Sequence, residues 1–278
     1  MLRYYFTLTT VLLFSISKAQ INADVKYEYI VFYNYIFQPD KFDSTKKVTE
    51  KMMLLSGNDY SHYLSHNRYL SDSTLKAIET EAEKAGTIPS FNMQNRPPRA
   101  IINHQVFKMF KTDQYYFHNT IGVQQPCFIA NLPTLNWQTT EETKTILGYD
   151  CKKATTAFAG RNYIAWYTTA IPITDGPYKF YGLPGLILEI SDTENHHTFN
   201  ALSIEKKDKK IALNKKEGQQ VHLFNNEADY NDYINKLKGD PALMFQQNLI
   251  QIPPDAMEKV VTKVKEDLKK QNNPIELK

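Results

Sequence analysis

The sequence is short of several things that would have decided its class at once. It has two cysteines in 278 residues, Cys127 and Cys151. That excludes a multiply bridged small scaffold. The two remain candidates for one disulfide in an exported chain, worth on the order of 3 kcal/mol by loop entropy; two separate buried thiols are the alternative. Charge of one sign is also missing. Lys and Arg number 33 against 30 Asp and Glu, a net +3, and loss of Arg3 and Lys18 with the first 19 residues leaves +1. A near-neutral chain gives no support to nucleic-acid binding. No apolar run beyond the N-terminal one approaches membrane-spanning length, so no transmembrane segment is expected after it. There is no G-x-S-x-G elbow, H-E-x-x-H, phosphate-binding loop or G-x-G-x-x-G. No cofactor is implied, and Ser44–Lys47 reads as a solvated turn.

What the sequence does have is aromatic residues, 18 Tyr and 15 Phe, which favours strands. Residues 1–19 place Arg3, a short apolar stretch and small residues at Ser17 and Ala19 in the order of a cleavable export signal. Residues 25–35, VKYEYIVFYNY, alternate, with Val25, Tyr27, Tyr29, Val31, Tyr33 and Tyr35 on one face. Residues 46–56 and 59–65 flank Gly57-Asn58 as a hairpin. Residues 71–86 switch to helical spacing and stop at Gly86. Residues 87–99 read as a loop, and 104–120 as a hairpin turning near Thr112-Asp113. Strands follow through residue 207. Beyond residue 208 the chain is charged and its spacing helical. The expectation is an α+β protein, mainly β. Its curved antiparallel sheet or incompletely closed barrel would carry covering helices and a C-terminal helical segment. The divisions are 1–19, 20–207 and 208–278.

Five of the ten glycines lie between Gly148 and Gly185. In FYGLPGLILEI, Leu183-Pro184-Gly185-Leu186 fits a type II turn, with Pro at the second position and Gly at the third. Gly176-Pro177 makes a second corner upstream. The apolar run from Leu186 to Ile190 then reads as a strand buried on both faces. Residues 144–190 resemble the GLPGLI family, whose motif stands here as Gly182, Leu183, Pro184, Gly185, Leu186 and Ile187. Gly160-Arg161, Trp166-Tyr167 and Gly176-Pro177 match upstream. That resemblance implies an exported β-rich protein of Gram-negative bacteria with no established function, and it supplies no catalytic residue.

Arg161 is expected to pair with Glu189 or Asp192 at the corner. Trp137, Trp166, Tyr167 and Tyr181 are candidates to line a pocket. His62 and His66, four apart, are the only metal-ligand candidates, with Asp59 or Asp72 as completing ligands. The functional expectation is a non-enzymatic binding or accessory protein, exported to the periplasm or outer membrane or secreted. It would hold a lipid, a peptide or an outer-membrane protein partner on a concave sheet. The alternative is a metal-dependent hydrolase built on His62 and His66.

Overall fold

The computed structural model describes residues 24–88, 90, 99–122, 124–212, 220–247 and 252–277. The export signal expected at 1–19, and most of the loop expected at 87–99, lie outside the described residues. Twelve strands form one sheet: β1 (Asp24–Phe37), β2 (Val48–Ser56), β3 (Tyr60–Ser65), β4 (Gln105–Met109), β5 (Gln114–His118), β6 (Gln124–Asn131), β7 (Gln138–Ile146), β8 (Tyr149–Phe158), β9 (Arg161–Thr168), β10 (Leu186–Asp192), β11 (His197–Ala212) and β12 (Gln220–Leu223). Their order across the sheet is β12-β6-β5-β4-β3-β2-β1-β11-β10-β9-β8-β7. Neighbours are antiparallel except β12 on β6. Among the described residues, four α-helices accompany them: α1 (His66–Ala85), α2 (Glu227–Gly239), α3 (Pro241–Gln247) and α4 (Pro254–Lys269). The fold is therefore mainly β with α, a curved and unclosed sheet as expected. No described helix is long and apolar enough to cross a membrane.

Local chemistry sets the elements. The β2–β3 hairpin turns at Gly57-Asn58, with Ser56 opposite Ser61. Helix α1 begins at His66, ahead of the start expected at residue 71, because the Ser65 hydroxyl accepts the Arg68 N–H as an N-cap. Asn226 caps α2 in the same way through the Asp229 N–H. The two-residue turn between β8 and β9 holds Ala159 and Gly160 at φ 47° and 86°, as a hairpin matching strand twist requires. It delivers Arg161 to the first position of β9. The change of character expected near residue 208 falls within β11, which runs on to Ala212.

The sheet has two unlike faces. One belongs to a core that includes Val31, Tyr33, Met52, Leu54, Tyr63, Val106, Tyr115, Phe128 and Tyr163. The other carries α1 over Met53, Leu55 and Leu64. Strict alternation predicts Tyr27 on the same face as Val31 and Tyr33. It lies in the second core instead, because the register of β1 against β11 shifts between Tyr27 and Tyr29. Such an irregularity turns the preceding residues over.

The inner face is filled by the chain itself. Residues 169–185 leave β9, cross the trough and return as β10. Ile171, Ile173, Asp175, Tyr178, Lys179, Phe180 and Leu183 are all buried there. Strands far from β9 and β10 grip this plug: Lys108 of β4 donates to the Gly176 and Phe180 carbonyls at 2.7 and 3.2 Å, and Ser56 of β2 donates to Asp175. Tyr33 of β1 ties the plug's exit by donating to the Ile187 carbonyl at 2.7 Å. A sheet whose distant strands reach one short segment must bend around it. The apolar run does enter the core: Leu186, Ile187, Leu188 and Ile190 are all 0% exposed within β10. The type II turn before it does not form. Gly185 has φ 158°, and the Leu186 N–H goes to the Ile171 carbonyl rather than to Leu183. Glycine is needed there for closeness, since a Cβ would lie 2.0 Å from the Thr168 carbonyl oxygen.

Candidate functional site

The plug carries two lysines' worth of buried charge chemistry. Lys108, reaching in from β4, and Asp175 of the plug are both wholly buried, with Nζ 2.5 Å from Oδ1. The remaining Lys108 protons go to the two plug carbonyls, and Asp175 accepts from the Ser56 hydroxyl at 2.5 Å and the Gly176 N–H at 2.8 Å. Burial pulls the Lys108 pKa down and the Asp175 carboxylate opposes it. Every Lys108 donor is used and both side chains are fully buried, so the pair clamps the plug to β2 and β4.

Lys179 is different. Its side chain is 3% exposed and lies over the rings of Tyr115, Phe117, Tyr178 and Phe128 at 4.7, 5.5, 5.6 and 6.0 Å, a cation–π enclosure. Its ammonium is 2.7 Å from Glu276 and 3.2 Å from Glu227 at the head of α2. The Tyr178 hydroxyl donates to Glu276, and the Tyr115 hydroxyl to Glu227 at 3.1 Å. Burial alone would lower the Lys179 pKa, but Glu276, Tyr115 and Glu227 outweigh it and hold it above the ordinary lysine value. Tyr178 sits at φ 55°, a left-handed conformation that strains a bulky residue and concentrates at functional positions. His104 completes the cluster, 5.4 Å from Phe117 and 5.5 Å from Tyr178 between ring centroids. Burial, helped by the Lys179 charge, pushes its pKa down to about 4.

The cluster has what the Lys108 pair lacks, which is access. Glu227 is 39% and Glu276 19% exposed at the side chain. A carboxylate so placed can take a proton from water or substrate. The fixed ammonium beneath it can offset negative charge that develops nearby.

The sequence-expected residues scatter around this site. Arg161 pairs with Asp192 at 2.8 Å, while Glu189 goes to Lys144. Among the described residues, Asp192, Glu194 and His196 bring ligand atoms within 4.8 Å of one another. The Arg161 guanidinium lies 2.8 Å from Asp192 and 3.4 Å from His196, so a positive charge already fills the place a cation would take. His62 and His66 do not form a metal pair. His62 hydrogen-bonds Gln105 at 2.8 Å and stacks on Phe107 at 3.6 Å, with its pKa lowered to about 3 by burial. His66 opens α1 with its ring edge-on to Phe32. Asp59 pairs with Lys111 and Asp72 with Arg68.

Cys127 of β6 and Cys151 of β8 are separate buried thiols, far apart in the strand order. Trp137 donates its indole N–H to the Tyr181 carbonyl at 2.8 Å. Trp166 and Tyr167, adjacent on β9, point to opposite faces, so the four aromatic candidates do not share one lining. Gly176, Pro177 and the Gly182–Ile187 stretch belong to the plug and its exit. Sequence reasoning passed over Lys179, Glu227, Glu276, Tyr115, Lys108 and Asp175. One signal was present: Lys179 is a lone charge in the aromatic stretch YKFY.

Comparison with known proteins corrects the family expectation. A family described as "N-glycanase peptide, N-terminal domain" matches residues 83–232, more than half of the chain. No curated protein matches the chain. Two solved structures of PNGF-II, in different crystal forms, superpose with TM-scores of 0.51 and 0.50 at 17% identity, covering 76% and 77% of this chain. They share its fold. The chain spans about a third of the length of those proteins, 34% in each case. The GLPGLI resemblance is thereby replaced, its six residues being the close-packed exit of the plug. The non-enzymatic carrier reading falls with it. The matched family is a glycanase domain, and the concave face expected to hold a ligand is filled by residues 169–185. The His62/His66 hydrolase falls because, among the described residues, His62 is tied to Gln105 and Phe107 and no ligand set forms with His66.

Proposed function

The chain belongs to the family of N-glycanase N-terminal domains, and on that premise we propose that it takes part in hydrolysing the bond between an N-linked glycan and its asparagine. We further assign its contribution to the Lys179 cluster. In that reaction water adds to the side-chain amide carbon, and the C–N bond breaks with the water's proton passing to the departing nitrogen. The glycan leaves as its glycosylamine, and the asparagine becomes an aspartate. Glu227 is suited to take the proton from the attacking water, being half-exposed and fixed by Tyr115 and Lys179. Lys179 is suited to offset the charge that builds on the amide oxygen. The observation that carries the reading is that residues 83–232 include Tyr115, Tyr178, Lys179 and Glu227 together. Export of the chain, on the strength of residues 1–19, suits a substrate class found on secreted and surface glycoproteins.

The test is incubation of the purified chain with a denatured N-glycosylated protein, followed by mass spectrometry of the peptides. Glycan release with conversion of Asn to Asp is expected, falling about 100-fold or more in Glu227→Gln. Absence of any conversion by the wild-type chain overturns the reading.

A further inference from the structure

Glu276 comes to Lys179 from the far end of the chain, and the route it takes is built. Residues 272–277 run as a strap across the ends of several strands. Arg161, 3% exposed, donates through Nη2 to the Asn273 side-chain oxygen at 2.5 Å and to the Pro274 carbonyl at 2.8 Å. The Asn273 amide donates in turn to the Gln38 carbonyl at 2.9 Å, and the His197 ring meets the Asn273 carbonyl at 3.1 Å. Tyr163 donates to the Ile275 carbonyl at 3.1 Å, and the Leu277 N–H to Ala159 at 2.8 Å. Glu276 lies between these two last contacts. A segment of six residues with no strand or helix of its own is thus tied at both sides of one carboxylate.

We infer that this strap is a positioning device for the candidate site, with Arg161 and Asn273 holding Glu276 against Lys179 and Tyr178. The inference rests on the function proposed for that cluster. Arg161 has a planar fork of donors. One arm is spent on Asp192 of β10 and the other on the strap, so the guanidinium couples strand to tail. Asn273, 5% exposed, is the joint between the fork and the end of β1. Glu276, outside the span that matches the family, then adds the second carboxylate to a site whose other members lie inside it.

The experiment uses the full chain and two buried lysines. Lys179 is covered by the strap, whereas Lys108 is wholly buried and touches no part of it. Wild type, Asn273→Ala and, should that variant fail to fold, Arg161→Lys are treated with a lysine-acylating reagent and mapped by mass spectrometry. The expected result is a several-fold rise in acylation of Lys179 with Lys108 still protected. Glycan release is read alongside. The double variant Asn273→Ala/Glu276→Gln is expected to be no slower than Glu276→Gln, because Asn273 acts through Glu276. Acylation of both lysines together, or of neither, overturns the inference, as does a double variant much slower than Glu276→Gln. If Lys179 alone is exposed but no wild-type release is seen, the strap stands and the glycanase reading falls.

Discussion

Two sets of buried titratable groups, one on each face of the sheet, are held by opposite means. On the inner face, Lys108, Asp175, Lys179, Arg161 and Asp192 are nearly or wholly buried and remain ion-paired. Lys108 takes its partner from the plug and Lys179 its partners from the strap and α2, while Arg161 and Asp192 pair across β9 and β10. On the outer face, His62 and His118 are also buried, and their ring nitrogens hydrogen-bond the neutral side chains of Gln105 and Gln125 at 2.8 and 2.9 Å. Their pKa values are pushed down by burial to about 3 and about 4. A group buried with a fixed counter-ion can keep its charge. A group buried against amides gives it up. The inner face holds both kinds, since His104 beside Lys179 is also pushed down by burial, so it is the ion-paired clusters and not the face as a whole that keep charge.

Breaking the inner pair should have the largest effect. Lys108→Met leaves Asp175 buried without its partner, and a loss of about 3–5 kcal/mol is expected in urea denaturation. Replacing both, as Lys108→Met/Asp175→Leu, should recover much of it. If the single variant were neutral, the plug would not be held by this pair.

Gly185→Ala tests the corner where the plug becomes β10. Its Cβ would collide with the Thr168 backbone, and a loss of about 3 kcal/mol is expected. An unchanged melting temperature would remove the close approach between plug and β9.

The outer face sharpens the comparison through pH. His62 and His118 are neutral when folded and near 6.5 when unfolded. The unfolded chain therefore takes up protons first on acidification. The stability they favour is fully present above about pH 6.5 and is lost as pH falls towards about 4 for His118 and about 3 for His62, at up to about 1.4 kcal/mol per pH unit for each. His62→Phe should flatten the slope of unfolding free energy between pH 6.5 and 5. A slope equal to wild type would mean that His62 is not buried neutral.

Much of the frame could be read along the chain. Period-two alternation located β1, the hairpin at Gly57-Asn58 paired β2 with β3, and Asn226 started α2. The Arg161–Asp192 pair was among the pairings expected. The site was less legible because its members meet across long separations. Glu276 is brought to Lys179 by contacts with Gln38, Arg161 and Tyr163, and no local pattern records them. Lys108 did leave a trace: it shares a face of β4 with Val106, which sets a charge on the core side. The turn at Leu183–Leu186 misled because Pro-Gly fits a type II template, while tertiary contacts with Ile171 and Thr168 chose another path. The GLPGLI letters likewise report backbone crowding at the plug exit and not an activity.

The most direct measurement is the titration of Lys179 in the intact protein, followed by heteronuclear NMR of its side chain. With Glu276 and Glu227 fixed against the ammonium, its midpoint should lie above the ordinary lysine value of about 10.4. A midpoint at or below that value would show that the two carboxylates do not hold it, and the site built around Lys179 would not stand.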